Sequence, residues 1–93
     1  MRIAPNRTIL EGKVLRIEPD PLGWGANVEF EVESSAPAEG FEDFIQVAPG
    51  EIVKVFVAED AAVETDKSYT LTAQVLGGPN GERVVLQDAS EKA

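Results

Sequence analysis

Apolar and polar residues alternate along most of this 93-residue chain, and the alternation divides it into strands. The clearest run is Ala26–Ser34. Ala26, Val28, Phe30 and Val32 share one face; Asn27, Glu29, Glu31 and Glu33 share the other. That pattern predicts an antiparallel strand with one face in a core and one in water. Ser68–Leu76 repeats it, with Tyr69, Leu71, Ala73 and Val75 inward, and Arg83–Gln87 returns with Val84 and Leu86 inward. Between them, Gly77-Gly78-Pro79-Asn80-Gly81 reads as a hairpin loop. Ile52–Ala58 is different. Val53, Val55 and Val57 make one apolar face, but Ile52 and Phe56 make the opposite face apolar too, with Lys54 between them. Such a strand is covered on both sides or carries an exposed binding patch, and cover from Phe41–Val47 is the expectation.

The remaining strand, Thr8–Glu18, organises the others. Leu10, Gly12 and Val14 alternate on one face, and then Leu15 and Ile17 carry the apolar count on the other. A period of two that changes phase in mid-run implies a bulge or sharp coil, here near Lys13–Val14, and Gly12 makes the bend sterically cheap. A strand that buries first one face and then the other can serve two sheets or close one sheet into a barrel. If Ile17 lies opposite Val28, then Arg16 faces Glu29, and beyond the bulge Lys13 faces Glu31. Opposed charges of this kind are worth roughly 0.2–1 kcal/mol each.

The connections are rich in turn formers. Pro19–Gly25 carries two prolines and two further glycines around Trp24, the sole tryptophan, which is expected to plug the barrel end rather than to stack on a ligand. Ser35–Glu42 is a loop, Phe44–Val47 a candidate sixth strand, and Ala48-Pro49-Gly50 a turn. Glu59–Asp66 is the one candidate helical turn, with Asp60 as its cap. Residues 1–7 read as a loosely held arm, 8–88 as one domain and 89–93 as a polar tail.

Composition narrows the chemistry. The chain has neither cysteine nor histidine, so disulfides, thiolate zinc sites, imidazole ligands and nucleophile–histidine pairs are all ruled out. The start of the chain has no apolar signal region, and no window approaches the ~18 apolar residues of a membrane span; a cytoplasmic protein is the expectation. The net charge is −9 and unevenly placed. Of the seventeen acids only Glu11, Glu82, Asp88 and Glu91 lie outside residues 18–66, a stretch whose single cation is Lys54. An acidic body repels phosphate backbones, which disfavours generic nucleic-acid binding. Gly23-Trp24-Gly25 lacks the third glycine of a dinucleotide fingerprint, and Gly77–Gly81 lacks the Gly-Lys-Ser/Thr of a phosphate loop. The serines sit in no nucleophile elbow. Glu29, Glu31 and Glu33 project about 7 Å apart along one strand face, a flat row unlike the converging oxygens of a calcium site. No cofactor, no metal and no enzymatic activity are expected.

Five strands, a bent first strand, the Pro19–Gly25 loop, one short element at Glu59–Asp66 and a closing hairpin over Ser68–Gln87 resemble the oligonucleotide/oligosaccharide-binding fold, a small all-β Greek-key barrel. The resemblance covers about residues 8–88 and rests on the order and spacing of elements. It departs from the pattern in the long Ser35–Gly50 connection and the minimal helical element. The resemblance implies a binding face on strands two and three, carrying Asn27, Glu29, Glu31, Glu33, Ile52, Lys54 and Phe56, with Trp24 and Gly77–Gly81 at the rim. Trp24, Ile52, Lys54, Phe56, Asn80 and Arg83 are therefore the candidate contacts. The expected function is a non-catalytic binding module for a protein or small polar partner. The alternatives are a single-stranded nucleic-acid binder using Trp24, Phe56, Lys54 and Arg83, and an accessory subunit whose partner covers Ile52 and Phe56.

Overall fold

A computed structural model describes residues 6–21, 25–58, 63–78 and 81–92. Five strands, β1 (Thr8–Pro19), β2 (Ala26–Pro37), β3 (Ile52–Val57), β4 (Ser68–Gly78) and β5 (Gly81–Glu91), close into a barrel in the order β1-β2-β3-β5-β4. All neighbours are antiparallel except β3 and β5, which run parallel and pair at one position, Phe56↔Val85. The described residues contain no helix. A radius of gyration of 12.5 Å is what dense packing of a chain this long requires, about 12 Å.

β1 closes the ring because it belongs to two ladders. Residues 8–13 pair with β2 on one side and β4 on the other, and residues 14–19 pair with β2 alone. The register slips between Val14 and Arg16, one residue beyond the expected bulge, and also between Glu11 and Gly12. Leu10 and Val14 are wholly buried before the second slip, and Ile17 packs against the core after it. Where β4 begins at Ser68, the backbone of Val14 is taken over by the preceding turn: Val14 N–H donates to the Lys67 carbonyl at 3.0 Å, and Asp66 N–H donates to the Val14 carbonyl at 2.8 Å. Asp66 holds φ at 68°, a left-handed conformation that aspartate tolerates better than most residues.

Gly12 is required by proximity more than by flexibility. A Cβ there would stand 2.0 Å from the Glu31 carbonyl oxygen and 3.1 Å from the Phe30 ring. A Cβ on Gly25, which holds φ at 101° just before β2, would stand 2.2 Å from the Val57 carbonyl oxygen at the end of β3.

The inward residues of β2 and β4 make the core as the alternation predicts: Val28, Phe30 and Val32 with Tyr69, Leu71 and Ala73, all under 3 % exposed. Val55 and Val57 join them from β3, and Val63 is buried in the same cluster. The Tyr69 hydroxyl accepts a 2.7 Å hydrogen bond from Glu64 N–H, so the buried phenol is satisfied.

Four features differ from the sequence reading. β2 runs on to Pro37 and β5 to Glu91, because Thr8–Glu11 and Tyr69–Thr72 offer them pairing partners beyond their alternating cores. Phe44–Val47 forms no sixth strand. Val63–Asp66, the described half of the expected helical turn, is irregular, and the rest of that turn lies outside the described residues.

Asn6, read from sequence as part of a loose arm, is 4 % exposed. Its amide extends the β1–β4 ladder by imitating a peptide group: Nδ2 donates to the Val75 carbonyl at 3.0 Å, and Oδ1 accepts from Val75 N–H at 2.7 Å. The adjoining Arg7 lays its guanidinium over Phe41, 4.5 Å from the ring centre.

Two substitutions test this architecture. Gly12→Ala should destabilise the protein by roughly 1–3 kcal/mol or more, since backbone must move to admit the methyl, and should lower the urea midpoint without changing the m-value. Asn6→Ala should cost about 1–3 kcal/mol for each Val75 group left unpaired, and hydrogen exchange at Val75 N–H should speed up in step; unchanged exchange would show that the ladder does not depend on the side chain.

Candidate functional site

A concave surface lies over the β3–β5 seam. β3 and β5 are paired at a single position, and the rest of the two edges lies outside a shared ladder. Register places Lys54 level with Arg83, and Ile52 level with Gly81, in the stretch before that position. The connection from β2 to β3 folds across this stretch and leaves a groove of about 340 Å³. The loop supplies Phe44, Ile45 and Val47; the strands supply Ile52, Val53, Val75 and Val84; Gln46, Glu51, Glu82 and Arg83 bring polar atoms to it.

Asp43 shapes that loop. Its carboxylate Oδ1 accepts three hydrogen bonds, from the Thr8 hydroxyl at 2.8 Å and from the Ile45 and Gln46 N–H groups at 3.0 Å each. Burial would raise the Asp43 pKa, but the bonds from Gln46, Thr8 and Ile45 together hold it below the ordinary value. Thr8 is itself fully buried in β1, so the carboxylate ties the loop to the barrel wall. Gln46, at φ 50°, turns the chain so that Ile45 and Val47 both pack against the core. Farther along, Glu51 accepts a 3.0 Å bond from Ala48 N–H, and Gly50 and Glu51 continue the ladder with Val32.

Four of the six candidate contacts come together on this side of the barrel. Ile52 is 56 % exposed at the groove, Lys54 is exposed beside it, and Phe56 and Arg83 meet above the seam with the guanidinium 4.4 Å from the ring centre. Trp24 and Asn80 lie outside the described residues. The cover expected from Phe41–Val47 is a groove wall instead: Ile52 stays open to water, and Phe56 is half-buried under Arg83 from β5.

The glutamate row has the expected register: Arg16↔Glu29, Lys13↔Glu31 and Ile17↔Val28 are Cα partners. The ion pairs go elsewhere. Arg16 meets Glu18 on its own strand at 2.9 Å, and Lys92 at the end of β5 reaches both Glu11 and Glu33, at 3.5 and 3.6 Å. Two long side chains at a β-bulge do not point straight across the ladder, and a residue two positions along the strand is the easier partner. On the far side of the row, Lys54 is the cross-strand neighbour of Glu29, and Ile52 that of Glu31. Among the described residues no group of three or more carboxylates is arranged to hold a metal ion.

Sequence reasoning missed Phe44, Asp43 and Glu82. Phe44, Ile45 and Val47 were visible as an apolar cluster in a loop otherwise polar, which is a signal of packing. An aspartate followed by free N–H groups is a recognisable turn device. Glu82 carried no signal, because its place at the groove depends on the seam.

These features define a small closed β-barrel with a lateral groove, part apolar and part acidic. No family model, curated protein or solved structure matches the chain. Among the described residues no helix is long and apolar enough to cross a membrane.

Asp43 makes the groove wall sensitive to acid. Its carboxyl titrates below the ordinary 3.8 in the folded protein, so as pH falls the unfolded chain takes up this proton first. The stability it contributes is complete well above pH 3.8 and is lost as pH falls through that value toward the lower folded one. Asp43→Asn should therefore unfold at lower urea than the parent at neutral pH, with the gap narrowing as pH falls through this window. A gap that does not change with pH would mean that the carboxylate charge is not what holds the loop.

Proposed function

We propose that the protein is a non-catalytic binding module with an oligonucleotide/oligosaccharide-binding type of barrel, and that it takes a protein or small polar partner at the groove over the β3–β5 seam. Support for the fold assignment comes from the strand order β1-β2-β3-β5-β4, closed through a bent β1, with β3 and β5 as the parallel pair. Fold alone carries no function, so the reading rests on the groove. At about 340 Å³ it is at the small end of the ~300–1,000 Å³ range of ligand sites, and it combines apolar walls with a few polar groups as such sites do. The observation that carries the reading is Ile52, a large aliphatic side chain standing 56 % exposed at its edge. A partner that covers Ile52 would equally make the protein an accessory subunit. The absence of cysteine fits work in a reducing compartment such as the cytoplasm.

Single-stranded nucleic acid is the less favoured ligand. It would need Phe56 as a stacking platform and Arg83 as a phosphate contact, and these two side chains already occupy each other. The surrounding acidity works in the same direction.

Amide chemical-shift mapping separates the readings. Titration with panels of random peptides, small polar fragments and oligonucleotides should yield ligands whose shifts centre on residues 44–47, 52–54 and 82–84. Ligands that centre on another face, or turnover of any panel member, would overturn the binding-module reading. Oligonucleotide binding that weakens steeply with added salt would select the nucleic-acid alternative.

A further inference from the structure

The groove is lined by apolar side chains, but its charged groups are unbalanced. Glu51 and Glu82 line it, and Glu31 stands directly across the β2–β3 ladder from Ile52. Against these three carboxylates stands Arg83, whose guanidinium is drawn aside over Phe56. Two lysines stand nearby as well: Lys54 is the cross-strand neighbour of Glu29, and Lys13 is that of Glu31. Among the described residues neither Glu31 nor Glu82 forms an ion pair. An apolar slot whose lining carries Glu51 and Glu82 against Arg83, on a chain of net charge −9, attracts cations and repels anions.

The backbone adds a second selection. β3 and β5 are paired only at Phe56↔Val85, so before that point the edges from Ile52 and from Gly81 share no ladder. Strand edges outside a ladder, beside a slot, accept an extended chain more readily than a compact solute, since main-chain groups on the ligand can complete a ladder while alternate side chains enter pockets.

We infer that the groove's occupant is an extended segment of another protein, in which one large apolar side chain enters beside Ile52 and flanking lysines or arginines meet Glu31, Glu51 and Glu82. This rests on the binding-module reading and names the partner's chemistry.

The test uses the full-length protein, isotopically labelled, and two short synthetic peptides: a central leucine flanked by lysines, and the same peptide with glutamates in place of the lysines. The lysine peptide should shift the amides of residues 44–47, 52–54 and 82–84, and should bind at least about tenfold tighter than the glutamate peptide at low salt. Ile52→Ser should weaken the lysine peptide by about tenfold, as expected when an aliphatic anchor loses its apolar neighbour. Glu31→Lys combined with Glu82→Lys should invert the preference between the two peptides. All three side chains are exposed, so these variants should keep the parent's amide spectrum away from the groove. Equal or tighter binding of the glutamate peptide, or a lysine peptide that binds elsewhere or not at all, overturns the inference. In those cases, groove binding by the glutamate peptide or by a small polar fragment leaves the binding-module reading standing. Groove binding by an oligonucleotide alone moves the assignment to nucleic acid. If no ligand of any kind reaches the groove, both readings fall.

Discussion

The barrel depends on how closely β1 approaches β2 at Gly12. That contact sets the Glu31 carbonyl where any side chain would otherwise stand, and it lets the first strand turn sharply enough to hold β4 on its other edge. β4 begins opposite Lys13, so the peptide groups of Val14 lie beyond its ladder, and the turn at Asp66 and Lys67 pairs with them. A buried peptide group left unpaired would be costly, so the bend and the turn stabilise each other. The core follows: with the ring closed, the inward faces of β2, β3 and β4 meet at one centre, and Phe30, Leu10 and Leu71 fill it without exposure.

The same closure leaves one weak place. A five-stranded ring formed from a chain in this order must join β3 to β5 in parallel, without a hairpin to align them. Here they meet at a single position. The β2–β3 connection lies over the gap, and it holds its course through side chains instead of a ladder. Asp43 gathers Thr8, Ile45 and Gln46, and Glu51 takes Ala48. An ionised carboxylate with three donors is a strong local tie, and it explains how a segment without regular structure can present Phe44, Ile45 and Val47 at defined places. The candidate site is thus a product of the seam, and its walls inherit the acid sensitivity of Asp43.

Electrostatics on this surface are mostly local. Exposed pairs such as Arg16–Glu18 and Lys92 with Glu11 and Glu33 contribute little to stability, because water screens them. Their effect is on where negative charge remains. Lys92 and Lys54 sit beside the two ends of the Glu29–Glu33 row and Lys13 beside its middle, and Glu51 and Glu82 remain in the groove lining.

The sequence by itself determined the strands and their inward faces. A period of two written in Val, Ile, Phe and Leu is a local property, and Ala26–Ser34 and Ser68–Leu76 carry it whatever lies beside them. It also determined that β1 bends, since Leu10–Val14 and Leu15–Ile17 could not face one core from a straight strand. Ile52, Lys54, Phe56 and Arg83 were legible as neighbours because strand order and spacing suffice to place them. What remained for the tertiary structure depended on contacts distant along the chain. Asn6 is a ladder residue only because Val75 lies next to it, 69 positions away. β2 and β5 outrun their alternating cores only because a partner strand is there to pair with. Arg16 chose Glu18 over Glu29 through the local geometry of the bulge. The groove belongs to no segment: it exists where β3 and β5 part, and no periodicity in either strand encodes that separation.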